Sequence, residues 1–226
     1  GAKAVYTDYK EMLKKEKLDG VSICTWPKFH APMVLDAVKA GVKLIHCEKP
    51  MADTWGAAKE MTRAAKEGGA KLSFGHQRRF GEKFRKLVEI RDGGLIGELR
   101  RMECFPPNFF DWGTHWLDLF QMMNREAPAE WVLAALHFGK GHRVFEVPHE
   151  SQGIMQIKYK NGVEGSLTTS GSFTGAALRF IGDKGVAEIH WTDQPVRLWR
   201  KGPADYEILP VKDATDGIVA AAIVHV

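Results

Sequence analysis

The sequence Lys43-Leu44-Ile45-His46-Cys47 runs directly into Glu48-Lys49-Pro50. A short apolar run followed by a helical pattern over residues 54–67 predicts a buried strand that leads into a helix. In an open α/β sheet, ligands bind beyond the carboxyl ends of the strands. Lys49 is therefore a candidate for a positioned catalytic group. The simpler alternative is an ordinary surface lysine on a strand-to-helix loop.

The first third of the chain alternates between strand and helix patterns. Further strands are predicted over residues 20–25 and 71–75, and further helices over residues 9–17, 30–40 and 80–92. Gly41 suits the end of a helix, where glycine readily adopts the left-handed conformation. Strands separated by helices of this length indicate βαβ units and a parallel sheet.

From Gly97 onward the apolar residues recur mainly at every second position, which is typical of strands. Strands are predicted over residues 100–105, 131–138, 153–159, 163–170, 177–181, 185–190 and 196–200, and helices over 115–124 and 216–226. Asn161-Gly162 is a hairpin signal. The predicted fold is α/β plus α+β: a partial Rossmann-like parallel sheet in residues 1–78, then a domain with an open, mostly antiparallel sheet in residues 79–226.

The composition excludes several classes of protein. A chain of 226 residues with a net charge of +4 is only mildly basic, so no nucleic-acid partner is predicted. No apolar run reaches the roughly 18 residues that a membrane span needs, and no signal peptide is recognisable. Cys24 and Cys47 lie in apolar strand patterns and are predicted to be buried thiols in a reducing compartment, the cytoplasm. No CxxC or zinc-finger spacing occurs, so no metal site is assigned.

A second cluster of polar residues is Asp111-Trp112-Gly113-Thr114-His115, at the start of a predicted helix. A carboxylate and an imidazole four residues apart can face one cavity. A histidine can act as general acid or base near neutral pH, and a carboxylate can orient it. Alternatively, Asp111 only caps the helix and His115 is a core histidine.

The order of these two clusters resembles that of the Gfo/Idh/MocA oxidoreductases, the relatives of glucose–fructose oxidoreductase and inositol dehydrogenase. Tyr6-Thr7-Asp8-Tyr9 is similar to the start of the family's short helix after its second strand. The segment from Ser22 to His30 is similar to its strand–turn region, although Trp26-Pro27 stands where Pro-Asn is usual. Gly75-His76-Gln77-Arg78-Arg79-Phe80 matches the stretch that leads into its second domain. The resemblance extends from about Tyr6 to about Ile189.

The resemblance implies a nucleotide-binding first domain, and a second domain that binds substrate and forms a homodimer or homotetramer through its sheet. The implied cofactor is NAD or NADP, and the implied reaction is hydride transfer from a sugar or polyol. Lys49 would contact the substrate and orient the nicotinamide, His115 would be the acid/base, and Asp111 would assist it. The implied cofactor contacts are Cys24, Thr25, Trp26, His30, Glu48, Gln77 and Arg78.

One motif of the family is absent from this sequence. Complete members begin with a strand, Gly-x-Gly-x-x-Gly and a helix, which hold the pyrophosphate. No such motif precedes Tyr6 or occurs later. The chain is therefore expected to be either a piece of a longer protein or a short natural form, and the short form would bind NAD poorly.

Two other classes of function remain open. The first is a cofactor-independent or metal-assisted glycoside hydrolase or lyase. Its acid/base groups or metal ligands would come from His115, Asp111, Glu103, Asp118 and His46. The second is a non-catalytic protein that binds sugars or serves in assembly, because Trp26, Trp112 and Trp116 suit stacking on sugar rings as well as core packing.

Overall fold

A computed structural model describes residues 3–169, 176–190, 195–202 and 205–211. The chain divides into two compact units, Gly1–Gly75 and His76–Val226. We refer to them as the first and second units. No helix in the described ranges is long and apolar enough to cross a membrane. The cytoplasmic location stays a prediction.

The first unit contains a parallel sheet of three strands, in the order β1-β2-β3. The strands are β1 (Gly20–Ile23), β2 (Leu44–Cys47) and β3 (Lys71–Phe74), and the helices are α1 (Tyr9–Lys15), α2 (Pro27–Lys39) and α3 (Trp55–Glu67). Val34, Ile45 and Met61 belong to the buried core of this unit. The prediction of βαβ units with a parallel sheet is confirmed.

Local sequence explains where these helices begin. The side chain of Asp8 accepts a hydrogen bond from the Lys10 amide, and that of Thr54 accepts one from the Ala57 amide at 3.2 Å. Such caps satisfy amides that have no partner within the helix. Helix α2 begins at Pro27 and not at residue 30 as predicted. Proline fits the first turn because its missing N–H is not needed there.

The second unit contains a sheet of eight strands in the order β13-β12-β11-β10-β4-β9-β8-β5. Its strands are β4 (Leu99–Cys104), β5 (Ala129–His137), β8 (Gln152–Tyr159), β9 (Glu164–Thr169), β10 (Ala176–Gly182), β11 (Gly185–His190), β12 (Val196–Arg200) and β13 (Glu207–Leu209). Strands β4 and β9 are parallel, and all other neighbours are antiparallel. The predicted open, mostly antiparallel sheet is confirmed.

Helices α4 (Glu82–Asp92) and α5 (Thr114–Met123) pack their apolar residues against this sheet. A 3₁₀ turn (Gln77–Phe80) precedes α4, and a π-helical turn (Phe109–Gly113) leads into α5. The hairpin of β6 (Arg143–Val144) and β7 (Val147–Pro148), together with β13, was not predicted. The helix predicted over residues 216–226 lies outside the described residues, as does the last position of the strand predicted over 163–170.

Candidate active site

The Glu48-Lys49-Pro50 segment lies just beyond the carboxyl end of β2, as predicted. The Glu48 amide donates to the Ile23 carbonyl at 2.9 Å, which ties the segment to β1. A Cβ added to Gly75 would lie 2.8 Å from Glu48 Oε2, so a larger residue at position 75 would displace this carboxylate. The Glu48 carboxylate in turn accepts from the Lys49 amide at 3.2 Å. The Gly75 amide donates to the Cys47 carbonyl at 2.9 Å, so the backbone that leads to Lys49 is held from both neighbouring strands.

His30 contacts the same segment from the loop that follows β1. Its ring is fully buried, with Nδ1 2.9 Å from the Pro50 carbonyl oxygen and Nε2 3.0 Å from the Thr25 carbonyl oxygen. One imidazole thus joins the loop after β1 to the loop after β2. Sequence reasoning placed His30 among the cofactor contacts. Both of its ring nitrogens lie within hydrogen-bond distance of backbone carbonyls of these two loops.

The loop after β1 presents Cys24, Thr25 and Trp26. Cys24 is exposed, so the prediction of a buried thiol there is wrong. Ile23 is buried and ends the strand, and Cys24 continues the alternation on the exposed side. Thr25 lies with its hydroxyl 3.7 Å from the Met33 sulfur, and Trp26 is 45% exposed at the start of α2. Cys47, in contrast, is buried as predicted, and burial raises the pKa of its thiol to about 12.

In the second unit, Asp111 and His115 lie on consecutive helical turns. The cap of this region is Asn108 and not Asp111, because Asn108 Oδ1 accepts from the amides of Asp111 and Trp112 at 2.8 and 3.0 Å. The Asp111 carboxylate is therefore not used as the cap. His115 is buried, and its ring meets the edge of the His76 ring at a centroid distance of 5.7 Å.

Gln77 and Arg78 of the 3₁₀ turn belong to the same cluster. The Arg78 guanidinium lies over the rings of Trp112 and Trp116, 5.0 and 5.1 Å from their centroids. Burial lowers the pKa of Arg78, and the nearby negative charge of Asp111 opposes that shift. The Gln77 side-chain oxygen is buried and, within the described part of the chain, has no hydrogen-bond donor.

The structure thus brings four predicted site residues of the second unit together: Gln77, Arg78, Asp111 and His115. Sequence reasoning missed His76 and Asn108 as members of this cluster. An asparagine three residues before Asp111 was the available signal for a cap. The ring contact of His76 with His115 depends on the packing of the 3₁₀ turn against α5, which no local pattern reveals.

Other candidate acid/base groups make different contacts. Asp118 forms a two-point ion pair with Arg79, at 2.9 Å from Nε and 2.7 Å from Nη2. Glu103 lies between Arg101 and Arg179, at 2.9 and 3.5 Å. The described residues contain no group of three or more histidine, cysteine, aspartate or glutamate side chains that could hold a metal ion.

A three-stranded parallel unit with polar groups at its carboxyl edge, followed by an open sheet with a His–Asp cluster, defines a Rossmann-type protein with a second α+β unit. Residues 1–76 match the model of an oxidoreductase family with an NAD-binding Rossmann fold, GFO_IDH_MocA. The matched residues make up about a third of this chain.

Several dehydrogenases are similar in sequence. Inositol 2-dehydrogenase from Azotobacter vinelandii is 33% identical over 101 residues, which are 44% of this chain and 30% of that protein. The 4-carboxy-2-hydroxymuconate-6-semialdehyde dehydrogenase from Sphingobium sp. is 28% identical over 167 residues, which are 74% of this chain and 49% of that protein. The chain spans about a third to a half of the length of these curated relatives.

Solved structures share the fold at low identity. Levoglucosan dehydrogenase, solved with NADH and levoglucosan, superposes with a TM-score of 0.77 at 19% identity, covering 91% of this chain and 65% of that one. An inositol dehydrogenase homologue from Azotobacter vinelandii, solved with NADH and myo-inositol, gives a TM-score of 0.74 at 19% identity and covers 90% and 60%.

Proposed function

We propose that this chain belongs to an NAD(P)-dependent dehydrogenase that oxidises a secondary alcohol of a sugar or polyol. The observation that carries the proposal is the Glu48-Lys49-Pro50 segment, held at the carboxyl edge of β2 by Gly75 and His30 within residues that match an NAD-binding family model. Relatives named for inositol and levoglucosan favour a polyhydroxylated substrate.

In this reaction His115 accepts the proton of the substrate hydroxyl, and Asp111 assists it or binds a neighbouring hydroxyl. A positioned acid/base contributes about 10²–10⁴-fold to a rate. Lys49 donates to an oxygen of the substrate and stabilises the charge that develops on it. The buried imidazole of His30 keeps the Lys49 backbone in place, which limits the motion of the ammonium group relative to its target.

The residues present at the carboxyl edge fit the nicotinamide end of a dinucleotide. The exposed Trp26, the half-buried Glu48 and the Gly75 backbone lie on loops that leave the edge of the parallel sheet, where such cofactors bind. When bound, the nicotinamide supplies hydride acceptance. We assign Cys24, Thr25, Trp26, Glu48, Gln77 and Arg78 to contacts around this end of the cofactor or the adjoining substrate, and His30 to their support.

The test is NAD⁺ reduction by the protein with myo-inositol, levoglucosan and D-glucose, followed at 340 nm with a parallel NADH titration. His115→Ala should lower kcat about 10²–10⁴-fold, because it removes the acid/base. Lys49→Met should lower kcat by about 10²-fold or more, because it removes the donor to the reacting oxygen. NADH binding should remain in His115→Ala.

Matched controls are His142→Ala and Lys66→Met, which alter exposed residues of the same two types. Full activity in His115→Ala, or equal losses in the control variants, would remove the assignment of the acid/base. Absence of saturable NADH binding by the folded chain would remove the cofactor from the proposal for this chain.

Neither alternative function is favoured by the contacts. Asp118 and Glu103 are already paired with arginines, which makes them poor candidates for the acid/base pair of a hydrolase. Trp116 is almost fully buried and Trp112 supports Arg78, so a sugar-stacking surface would be left with the exposed Trp26.

We further propose that the chain forms a homodimer or homotetramer through the sheet of the second unit. Every residue of β5 is exposed, including Val132 at 56% and Leu133 at 68%, and a continuous apolar strand of this kind favours association. Leu133→Lys should shift the molar mass in light scattering toward the monomer, whereas Lys66→Met should not. An unchanged mass in Leu133→Lys would exclude β5 from the interface.

A further inference from the structure

Two neighbouring arginines in the 3₁₀ turn have very different partners. Arg79 pairs with Asp118 through Nε and Nη2, and a second carboxylate, Glu126, lies 3.4 Å away. Arg78 instead lies over Trp112 and Trp116. Within the described ranges of the chain, the side chain of Arg78 makes no hydrogen bond and no ion pair, and its Nε is buried without an acceptor.

The two indole rings stabilise the charge of Arg78 but not its N–H groups. A cation over an aromatic face is attracted by the negative charge of that face. The five N–H donors of a guanidinium point outward in its own plane, where a ring face offers no acceptor. A buried donor without a partner is unfavourable, because it has lost its hydrogen bonds to water. The residue as a whole is half-buried, and among the described residues its terminal nitrogens, unlike Nε, are not among the buried atoms without a partner; we expect an acceptor to approach them.

The surroundings of Arg78 suit an oxyanion that arrives with a ligand. The guanidinium lies close to both ring centroids, and a carboxylate can pair with its terminal nitrogens through two parallel hydrogen bonds. The neighbouring Arg79 donates two hydrogen bonds to the carboxylate of Asp118, which is the kind of pairing expected for Arg78. Asp111 is close enough to act on Arg78 electrostatically, yet no hydrogen bond joins the two side chains.

We propose that Arg78 recognises a carboxylate of the substrate, so that the site prefers sugar acids or polyhydroxy acids over neutral sugars. This inference rests on the proposed function for the role of the site, and it narrows the substrate class. Arg78 is a specificity-determining residue: it binds the acid group while the proposed acid/base, His115, lies one residue from the Trp116 ring that supports it.

The experiment measures binding by isothermal titration calorimetry without cofactor. The probes are three acid–neutral pairs: D-glucuronate with D-glucose, D-galacturonate with D-galactose, and D-gluconate with D-sorbitol. At least one acid should bind more tightly than its neutral counterpart. Arg78→Met should weaken that acid about 10- to 100-fold, as expected for a lost charged hydrogen bond, and its neutral counterpart much less. Arg78→Lys should retain part of the preference.

The control is Arg85→Met, which removes an exposed arginine from the neighbouring helix and changes net charge equally. It should leave the acid–neutral ratio unchanged. Circular dichroism establishes that each variant is folded. If Arg78→Met is not folded, Arg78→Lys replaces it in the titrations. Asp111→Asn should tighten binding of the acid, because it removes a negative charge near Arg78 that repels the carboxylate of the acid.

Three results would overturn the inference: no acid binds more tightly than its neutral partner, Arg78→Met weakens both equally, or Arg85→Met reproduces the effect. Titrations with NADH and inorganic phosphate form a separate arm. If Arg78→Met weakens those and spares the acids, the oxyanion belongs to the cofactor and the inference is wrong. Acid binding that depends on Arg78, without any hydride transfer, would contradict the proposed reaction while leaving the recognition of the carboxylate in place.

Discussion

The two units differ in how much core supports their sheets. In the first unit, strands of four residues pair in parallel, and seven of the described residues form the buried cluster. In the second unit, longer and mainly antiparallel strands cover a cluster of twenty described residues. A single truncation therefore removes a larger share of the apolar burial in the first unit. The proposed catalytic lysine lies on the unit with the smaller buried cluster, and contacts of His30 and Gly75 hold its loop.

The largest effect should come from Phe120→Ala in the second unit. Phe120 is fully buried, and its ring lies 6.3 Å from that of Phe180. Removing a buried phenylalanine costs about 3–5 kcal/mol. The urea midpoint should fall accordingly, while hydrogen exchange in β4, β9 and β10 should still show protection without denaturant, because the rest of this core remains.

The matching change in the first unit is Met61→Ala. Met61 is fully buried, and its truncation costs about 2–5 kcal/mol, comparable with the whole stability of many small domains. Amides of β1, β2 and β3 should lose protection in hydrogen exchange, while those of β4 and β9 keep it. Equal loss of protection in both units would mean that they unfold as one, which would contradict the expected difference in stability between them.

A smaller effect is expected from breaking the Arg79–Asp118 pair. Arg79→Met leaves a partly buried carboxylate without its two hydrogen bonds, so stability in urea should fall by about 1–3 kcal/mol. The exposed control Arg85→Met should change it by less than about 0.5 kcal/mol. If Arg79→Met leaves the stability in urea unchanged, Asp118 would again be a candidate acid/base group.

Sequence patterns predicted most elements, because apolar periodicity reports which side of an element is buried. Strands β11 and β12 have the predicted bounds. The patterns failed where one residue decides an element's end, as at Pro27 and Cys24. The location of Lys49 just beyond β2 and of His115 at the start of α5 was predicted. The contacts of Arg78 with two indoles depend on tertiary packing, so no local pattern could predict them.

The Tyr9–Asp36 hydrogen bond allows a pH test of the first unit. Tyr9 donates to Asp36 at 2.8 Å; burial and this bond raise the pKa of Tyr9 to about 12, and the bond lowers the pKa of Asp36. Tyr9→Phe should cost about 1 kcal/mol at pH 7. The tyrosine's raised pKa means that its contribution is complete below pH 10 and lost as pH rises through about 12.

The carboxylate has the opposite dependence on pH. Because the pKa of Asp36 is lowered in the folded state, its contribution is present above the unfolded pKa and lost as the pH falls through the folded value. The difference in stability between wild type and Tyr9→Phe should therefore shrink in acid as well as in strong base. A difference that stays constant from pH 3 to pH 12 would contradict the assignment of both shifts to this bond.

The smallest expected effect is a difference in the rates at which cysteines of the two units react with a thiol reagent. Cys24 is exposed, whereas Cys47 in the first unit and Cys104 in the second are buried and have raised thiol pKa values. With a thiol reagent at pH 8, one of the three cysteines should react at once, and Cys24→Ser should abolish that phase. The other two thiols react only when their units open. Because the first unit has the smaller core, Cys47 should be labelled before Cys104, and Met61→Ala should widen the gap. The reverse order would show that the smaller core opens less readily than the larger one.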